Sequence, residues 1–230
     1  MNEPLNKVAA HRAAIRRQIL VILKEAADDY ETHGDPESDL RDAPEYLLTV
    51  GVARGLANAF GTLRYRLEHH ATAYANRARS EIDVPEAMGK DGARFDIVLL
   101  NRANNVPRYI IELKRGTKIL GDAQRIIRMA ALGHGRLWWR HGFLVTILRR
   151  EEHEATRIVL ELVDQIRALA NVEALALPTG SRVVVKHALE RIGRSRQLPE
   201  ETAIYGAVFQ VSLVSQGDMA TLIEGEEVEL

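Results

Sequence analysis

Apolar and polar positions follow two different periods along this chain, and the change of period divides it. Residues from about Leu5 to Glu31 place Ile15, Ile19, Ile22 and Leu23 on one side and Arg12, Arg16 and Arg17 on another, the spacing of an amphipathic helix. Thr32 to Arg41 is rich in Asp, Gly, Pro and Ser and reads as a linker. A second helix is expected from Asp42 as N-cap, with Pro44 just inside and Glu45 in the first turn, to about Phe60. Further helix is expected from Thr62 to about Arg77. The period then shortens. Strands are expected at Ser80–Pro85, Arg94–Leu100 and Pro107–Lys114, then a helix over Asp122–Leu132 and a buried strand over Phe143–Leu148. A long helix from about Glu151 to Ala170 follows, and two last strands at Arg182–Lys186 and Val208–Val214 flank a polar connection that includes Gly193 to Glu201. The fold class is therefore α/β, a mixed central sheet flanked by helices, with an extra N-terminal helix and C-terminal strands. Residues 1–41 read as an N-terminal helix and linker. Residues 42–230 read as one domain, its core over about 42–170 and an extension over 171–230.

The most informative stretch is Arg94 to Lys114, treated as an antiparallel hairpin. With Asn104 at the centre of the turn, Asp96 lies opposite Glu112 and Lys114 opposite Arg94. Alternation then gathers Asp96, Glu112 and Lys114 on one face with Val98 and Ile110, and puts Phe95, Ile97, Leu99, Tyr109, Ile111 and Leu113 on the other. Both faces are largely apolar, so the strands belong in a sheet covered on both sides. Facing carboxylates in such a place repel, and burial makes the repulsion worse. A divalent cation between them would compensate: Mg2+ takes hard oxygen ligands, commonly one or two carboxylates plus waters and phosphate oxygens. Lys114, on the same face, is placed to orient an attacking water and balance growing negative charge.

Charge distribution points the same way. The chain is 46% hydrophobic and 27% charged with a net charge of −1, but Arg102 to Arg150 holds eleven Lys and Arg against two acids, Glu112 and Asp122. The stretch from Asp28 to Glu45 is acidic, as is the tail from Gln216 to Leu230, with five acids and no base. A basic middle between acidic ends suggests a face for a polyanion. The chain has no cysteine, which excludes disulfides and thiolate metal sites and suits a reducing cytoplasm. No long apolar run suggests export or a membrane span. The eight histidines form no ligand pattern, and Gly133-His134-Gly135 lacks the lysine and spacing of a phosphate-binding loop. Trp138-Trp139 suits core or interface packing better than base stacking.

Asp96, the Glu112-Leu113-Lys114 triplet and the helix–strand–strand–strand–helix–strand order resemble the PD-(D/E)xK nuclease superfamily, the restriction-endonuclease-like fold, over roughly Asp42 to Ala170. Phe95 stands where the superfamily name has proline. The resemblance implies Asp96, Glu112, Glu45 and the backbone carbonyl of Leu113 as ligands of Mg2+ or Mn2+. It implies Lys114 as the catalytic lysine and Gln124 as a further site residue; Glu68 and Glu81 are the substitutes for Glu45. Arg115, Lys118, Arg125 and Arg128 would hold phosphates. The expected function is metal-dependent hydrolysis of phosphodiesters, most simply in DNA, in restriction, anti-phage defence or repair. Cutting both strands of a duplex suggests a homodimer with the N-terminal helix as a candidate contact, or a partner subunit supplying recognition. Two other readings stay open: a catalytically silent domain of this fold that binds nucleic acid or a protein, and an unrelated α/β scaffold whose acids form surface pairs.

Overall fold

The computed structural model of the chain describes residues 3–34, 38–71, 73, 94–132, 141–172, 175, 177–195 and 202–214. A long helix α1 (Glu3–His33) leads through a single 3-10 turn (Leu40–Asp42) into α2 (Glu45–Ala59). Strands β1 (Leu63–His70), β2 (Arg94–Asn101) and β3 (Pro107–Arg115) follow, then α3 (Leu120–Leu132), β4 (His141–Arg150), α4 (Glu152–Ala168), β5 (Arg182–Arg194) and β6 (Ala203–Val214). The six strands form one mixed sheet in the order β1-β2-β3-β4-β6-β5. Only β3 and β4 are parallel among these neighbours, and α3 is the crossover that joins them. The predicted α/β class with helices flanking a mixed sheet is what the chain adopts.

The sheet buries both faces, which is why β3, β4 and β6 read as nearly unbroken apolar runs. Under α1 and α2 lie Ile97, Leu99, Ile111, Leu113, Val145 and Ile147. Under α3 and α4 lie Val98, Leu100, Ile110, Leu144 and Leu148. Ile15, Ile19 and Leu23, spaced by four residues, are fully buried on α1. Each such burial contributes about 1.5–3 kcal/mol, so α1 is a wall of the core and its apolar face is occupied within the chain. Among the described residues no helix is long and apolar enough to cross a membrane.

Three expectations are corrected. Leu63 to His70 is a strand, not part of a helix: Leu63, Tyr65 and Leu67 pack inward while Arg64, Arg66 and Glu68 point to solvent, a period of two. Leu, Arg and Glu are good helix formers, but pairing along β2 outweighs local propensity. The observed order from α2 to β4 is thus helix, three strands, helix, strand, with β1 as the first strand; the expected strand at Ser80–Pro85 lies outside the described residues. Asp42 does not cap α2. Pro44 occupies the N-cap position, with no side-chain cap bond, and Asp42 closes the 3-10 turn, where it accepts the backbone N–H of Asp39. Finally, β5 and β6 run well beyond Lys186 and Val208 into the expected polar connection. Glu190 and Arg191 are tolerated there because β5 is an edge strand, and a bulge before Gly193 absorbs the irregularity. Gly133 to Gly135 and the Trp138-Trp139 pair lie outside the described residues.

The crossover helix can approach the sheet because Gly142 has no side chain. A Cβ there would stand 2.6 Å from Cγ2 of Ile126 on α3. Gly142→Ala is expected to lower stability by about 1–3 kcal/mol through overpacking. Combined with Ile126→Ala, it should cost less than the sum of the two single changes. Additive losses in urea melts would show that α3 does not rest on this contact.

Candidate active site

The hairpin register centred on Asn104 is the observed one: Ile97 pairs with Ile111, Val98 with Ile110 and Leu99 with Tyr109. Regular pairing stops short of Asp96. On the other side of β2, Leu67 pairs with Ile97 and His69 with Phe95, but Glu68 and Asp96 between them do not pair, and Glu68 has φ of 48°. Phe95 packs with Val98, Leu100 and Ile110 under α3 and α4. That corrects its expected place beside Ile97 and Leu99. The alternation of β2 breaks at Asp96. Released from the ladder, the Asp96 carboxylate accepts the backbone N–H of Leu113 at 2.8 Å, a donor that regular pairing would have given to Phe95. The N–H and C=O of one residue leave an extended strand on the same edge, so the Leu113 carbonyl faces this edge too.

Glu112 is the most demanding residue in the molecule. It is 1% exposed, and neither carboxylate oxygen accepts a hydrogen bond. The Arg125 guanidinium comes within 3.1 Å of Oε1, an ion-pair distance whose angle does not make a hydrogen bond. Burial, then the neighbouring charge of Asp96, push the Glu112 carboxyl well above its ordinary range; Arg125 opposes them and Asp122 adds to them. Arg125 is also tied to Asp122, in the first turn of α3, and donates to the carbonyl of Arg94.

Lys114 extends from the same strand. Its amine donates to Oε1 of Glu45 at 3.0 Å and stands 3.9 Å from Oδ2 of Asp96. Burial would lower its pKa, but the charge of Asp96, the bond to Glu45 and the charges of Asp122 and Glu45 outweigh it, and the net shift is upward. Lys114 is therefore a fixed ammonium at neutral pH. In this arrangement it can donate and attract.

Asp96, Glu112, Lys114 and Glu45 thus come together at one end of the sheet. Among the described residues, Gln124, Lys118 and Arg128 make no hydrogen bond or ion pair with this cluster. Gln124 is half-buried on α3, one position before the residue that does reach Glu112, and Lys118 is exposed. Arg125, expected to hold phosphate, stands against Glu112 and Asp122. Arg115 donates to the carbonyls of Arg41 and Ala43. Glu68 is exposed on β1, and Glu81 lies outside the described residues. Asp122 was not foreseen as a member. Its signal was present, as one of two acids in an otherwise basic stretch.

Among the described residues no three Asp, Glu or His side chains form a ready metal cage. Two carboxylates suffice for Mg2+ when waters and substrate oxygens complete the shell. Asp96 and Glu112 are the two acids here that could hold such a cation, with Arg125 standing 3.1 Å from Oε1 of Glu112. Comparison with protein families, with curated proteins and with solved structures found no match to this chain.

The sign of the Glu112 shift gives a pH test. A carboxyl raised in the folded state costs stability as pH climbs from its ordinary value, about 4.3, through the folded one. Glu112→Gln removes that cost and leaves Arg125 its partner Asp122. In metal-free buffer at pH 7 the variant should be more stable by roughly 1–2 kcal/mol, within the range seen when buried ionic groups are replaced by neutral ones. Below pH 4 the difference should vanish. A variant that melts lower than the parent at pH 7 would show that Arg125 fully compensates the charge.

Proposed function

We propose that this chain is a metal-dependent nuclease of the restriction-endonuclease-like fold, hydrolysing phosphodiester bonds in nucleic acid, with DNA as the first substrate to test. The observation that carries the reading is the convergence of Asp96, Glu112 and Lys114 at one end of β2 and β3, with Glu45 reaching Lys114 from the helix that precedes the sheet. The order of elements from α2 to β4 supports it, and β5 with β6 would be an addition at the far edge.

Asp96, Glu112 and the Leu113 carbonyl would hold Mg2+ or Mn2+, with Glu45 available beyond them. Such an ion polarises a phosphate and lowers the pKa of a bound water. The chain's own residues do the rest. Lys114, held as an ammonium between Asp96 and Glu45, points a positive donor at the place where charge grows on the phosphate. The bond from Leu113 fixes the Asp96 carboxylate, so this geometry is set before substrate arrives. Arg125 gives Glu112 a counter-charge and would leave it when a cation takes that role.

A second reading, a silent nucleic-acid-binding domain of the same fold, has one observation in its favour: Arg125 stands against the carboxylate that a metal would need. Activity separates the two. Plasmid, linear duplex, single-stranded DNA and RNA should be incubated with Mg2+ or Mn2+, beside Asp96→Asn, which keeps an acceptor for Leu113, and Lys114→Met. The parent should cleave at least one substrate, and each variant should lose about 100- to 1,000-fold in rate, the usual cost of removing one such group. A parent that binds but never cuts would support the silent reading. Variants as fast as the parent would remove this site from the chemistry.

A further inference from the structure

Beside Glu45 a cleft of about 350 Å³ opens, lined by Arg41, Asp42, Glu45, Arg115 and Arg149. Its cations differ in how they are held. Arg149 is buried and clamped by Asp39 at 2.6 Å and Asp42 at 2.7 Å, so its charge is matched. Arg115 is anchored through two backbone carbonyls, at 3.2 Å to Arg41 and 3.1 Å to Ala43. Those acceptors fix its guanidinium in place without neutralising it. Among the described residues no hydrogen bond or ion pair engages the Arg41 guanidinium, which lies near Gly116 at the other wall. Glu45, the cleft's other acid, is already bonded to Lys114. The cleft therefore holds two guanidiniums that form no ion pair with an acid among the described residues, and of these Arg115 is fixed in place. No side chain caps the adjoining first turn of α2, which adds the partial positive charge of a helix N-terminus.

We propose that this cleft is an anion subsite that receives a phosphate group of the nucleic-acid strand, one position away from the phosphate beside Asp96, Glu112 and Lys114. It rests on the reading of this chain as one that acts on nucleic acid. A planar guanidinium held in a fixed orientation, as that of Arg115 is, suits phosphate oxygens, which it meets with paired donors. Glu45 joins the two halves: one carboxylate both borders the cleft and holds Lys114. The subsite would set the register of the strand across the metal ligands.

The test measures binding in EDTA, so that no strand is cut. Anisotropy of a short labelled duplex should be followed across a salt series for the parent, Arg41→Ala, Arg115→Ala and, as a surface control, Arg66→Ala on β1. Arg41→Ala removes charge and no described contact of its side chain, so misfolding does not confuse it. It should weaken binding roughly five- to tenfold near 0.1 M salt, the effect of one phosphate contact, and lower the slope of log K against log salt by about one. Arg66→Ala should change neither. Dependence on Arg41 seen equally with 5′-phosphate and 5′-hydroxyl ends identifies a backbone phosphate; dependence only with the former identifies a terminal one. Parental affinity and slope in Arg41→Ala, or an equal loss in Arg66→Ala, overturns the subsite. Binding that depends on Arg41 in a parent that never cuts keeps the subsite and ends the catalytic reading; cleavage with binding indifferent to Arg41 does the reverse.

Discussion

A carboxylate in the middle of a doubly covered sheet is the constraint around which this structure is arranged. Glu112 sits on the third of six strands, with helices over both faces. Leaving a charge there unmatched costs several kcal/mol. The chain supplies a partial answer in Arg125, whose charge is shared with Asp122, and leaves both Glu112 oxygens without a hydrogen bond. A leucine at this position would satisfy the fold without any of these arrangements. The proposed metal would supply the compensation that remains.

The topology decides which residues can share that site. The parallel β3–α3–β4 crossover returns the chain so that the start of α3 lies over the end of β3, bringing Asp122 and Arg125 to Glu112. Crevices at the carboxyl ends of strands are where open α/β sheets bind ligands. From the other face, Arg149 near the end of β4 grips Asp39 and Asp42, and the 3-10 turn so held delivers α2 with Glu45 at its first residue. Asp42 therefore acts through Arg149 and the capping box of the 3-10 turn, not as the cap of α2. Two helical layers and three strands meet at one end of the sheet, and each contributes a charged group to it.

Much of this was readable from residue spacing, and the failures share a cause. The pairing of β2 with β3 followed from a turn centred on Asn104, because a hairpin leaves one free parameter and the apolar alternation sets it. The helix class of α3 and α4 followed from strong amphipathic periods, and that of α1 from its four-residue spacing of Ile15, Ile19 and Leu23. Leu63 to His70 misled because its helix-forming residues also alternate strictly, and only the neighbouring edge of β2 decides between the two periods. Phe95 was assigned to the wrong side because strict alternation was carried through Asp96, where pairing lapses. The contact of Arg125 with Glu112 was not legible, because spacing within one helix does not reveal which of its residues faces a neighbouring strand.

The local charge count needs the fold before it means anything. Eleven cations between Arg102 and Arg150 suggested a broad basic face. In the folded chain Lys114, Arg125, Arg149 and Arg150 each meet a carboxylate. Arg102 reaches the carbonyl of Leu63. Those four are paired with acids and project less potential into solvent than the count suggests, while Arg102 keeps its charge beside a neutral carbonyl. Among the described residues beside the site, the positive charge without a matching acid is concentrated at Arg115 and at Arg41, which lies outside the basic stretch altogether. The proposed phosphate surface is therefore narrower than the composition implied, and it adjoins Glu45, which holds Lys114.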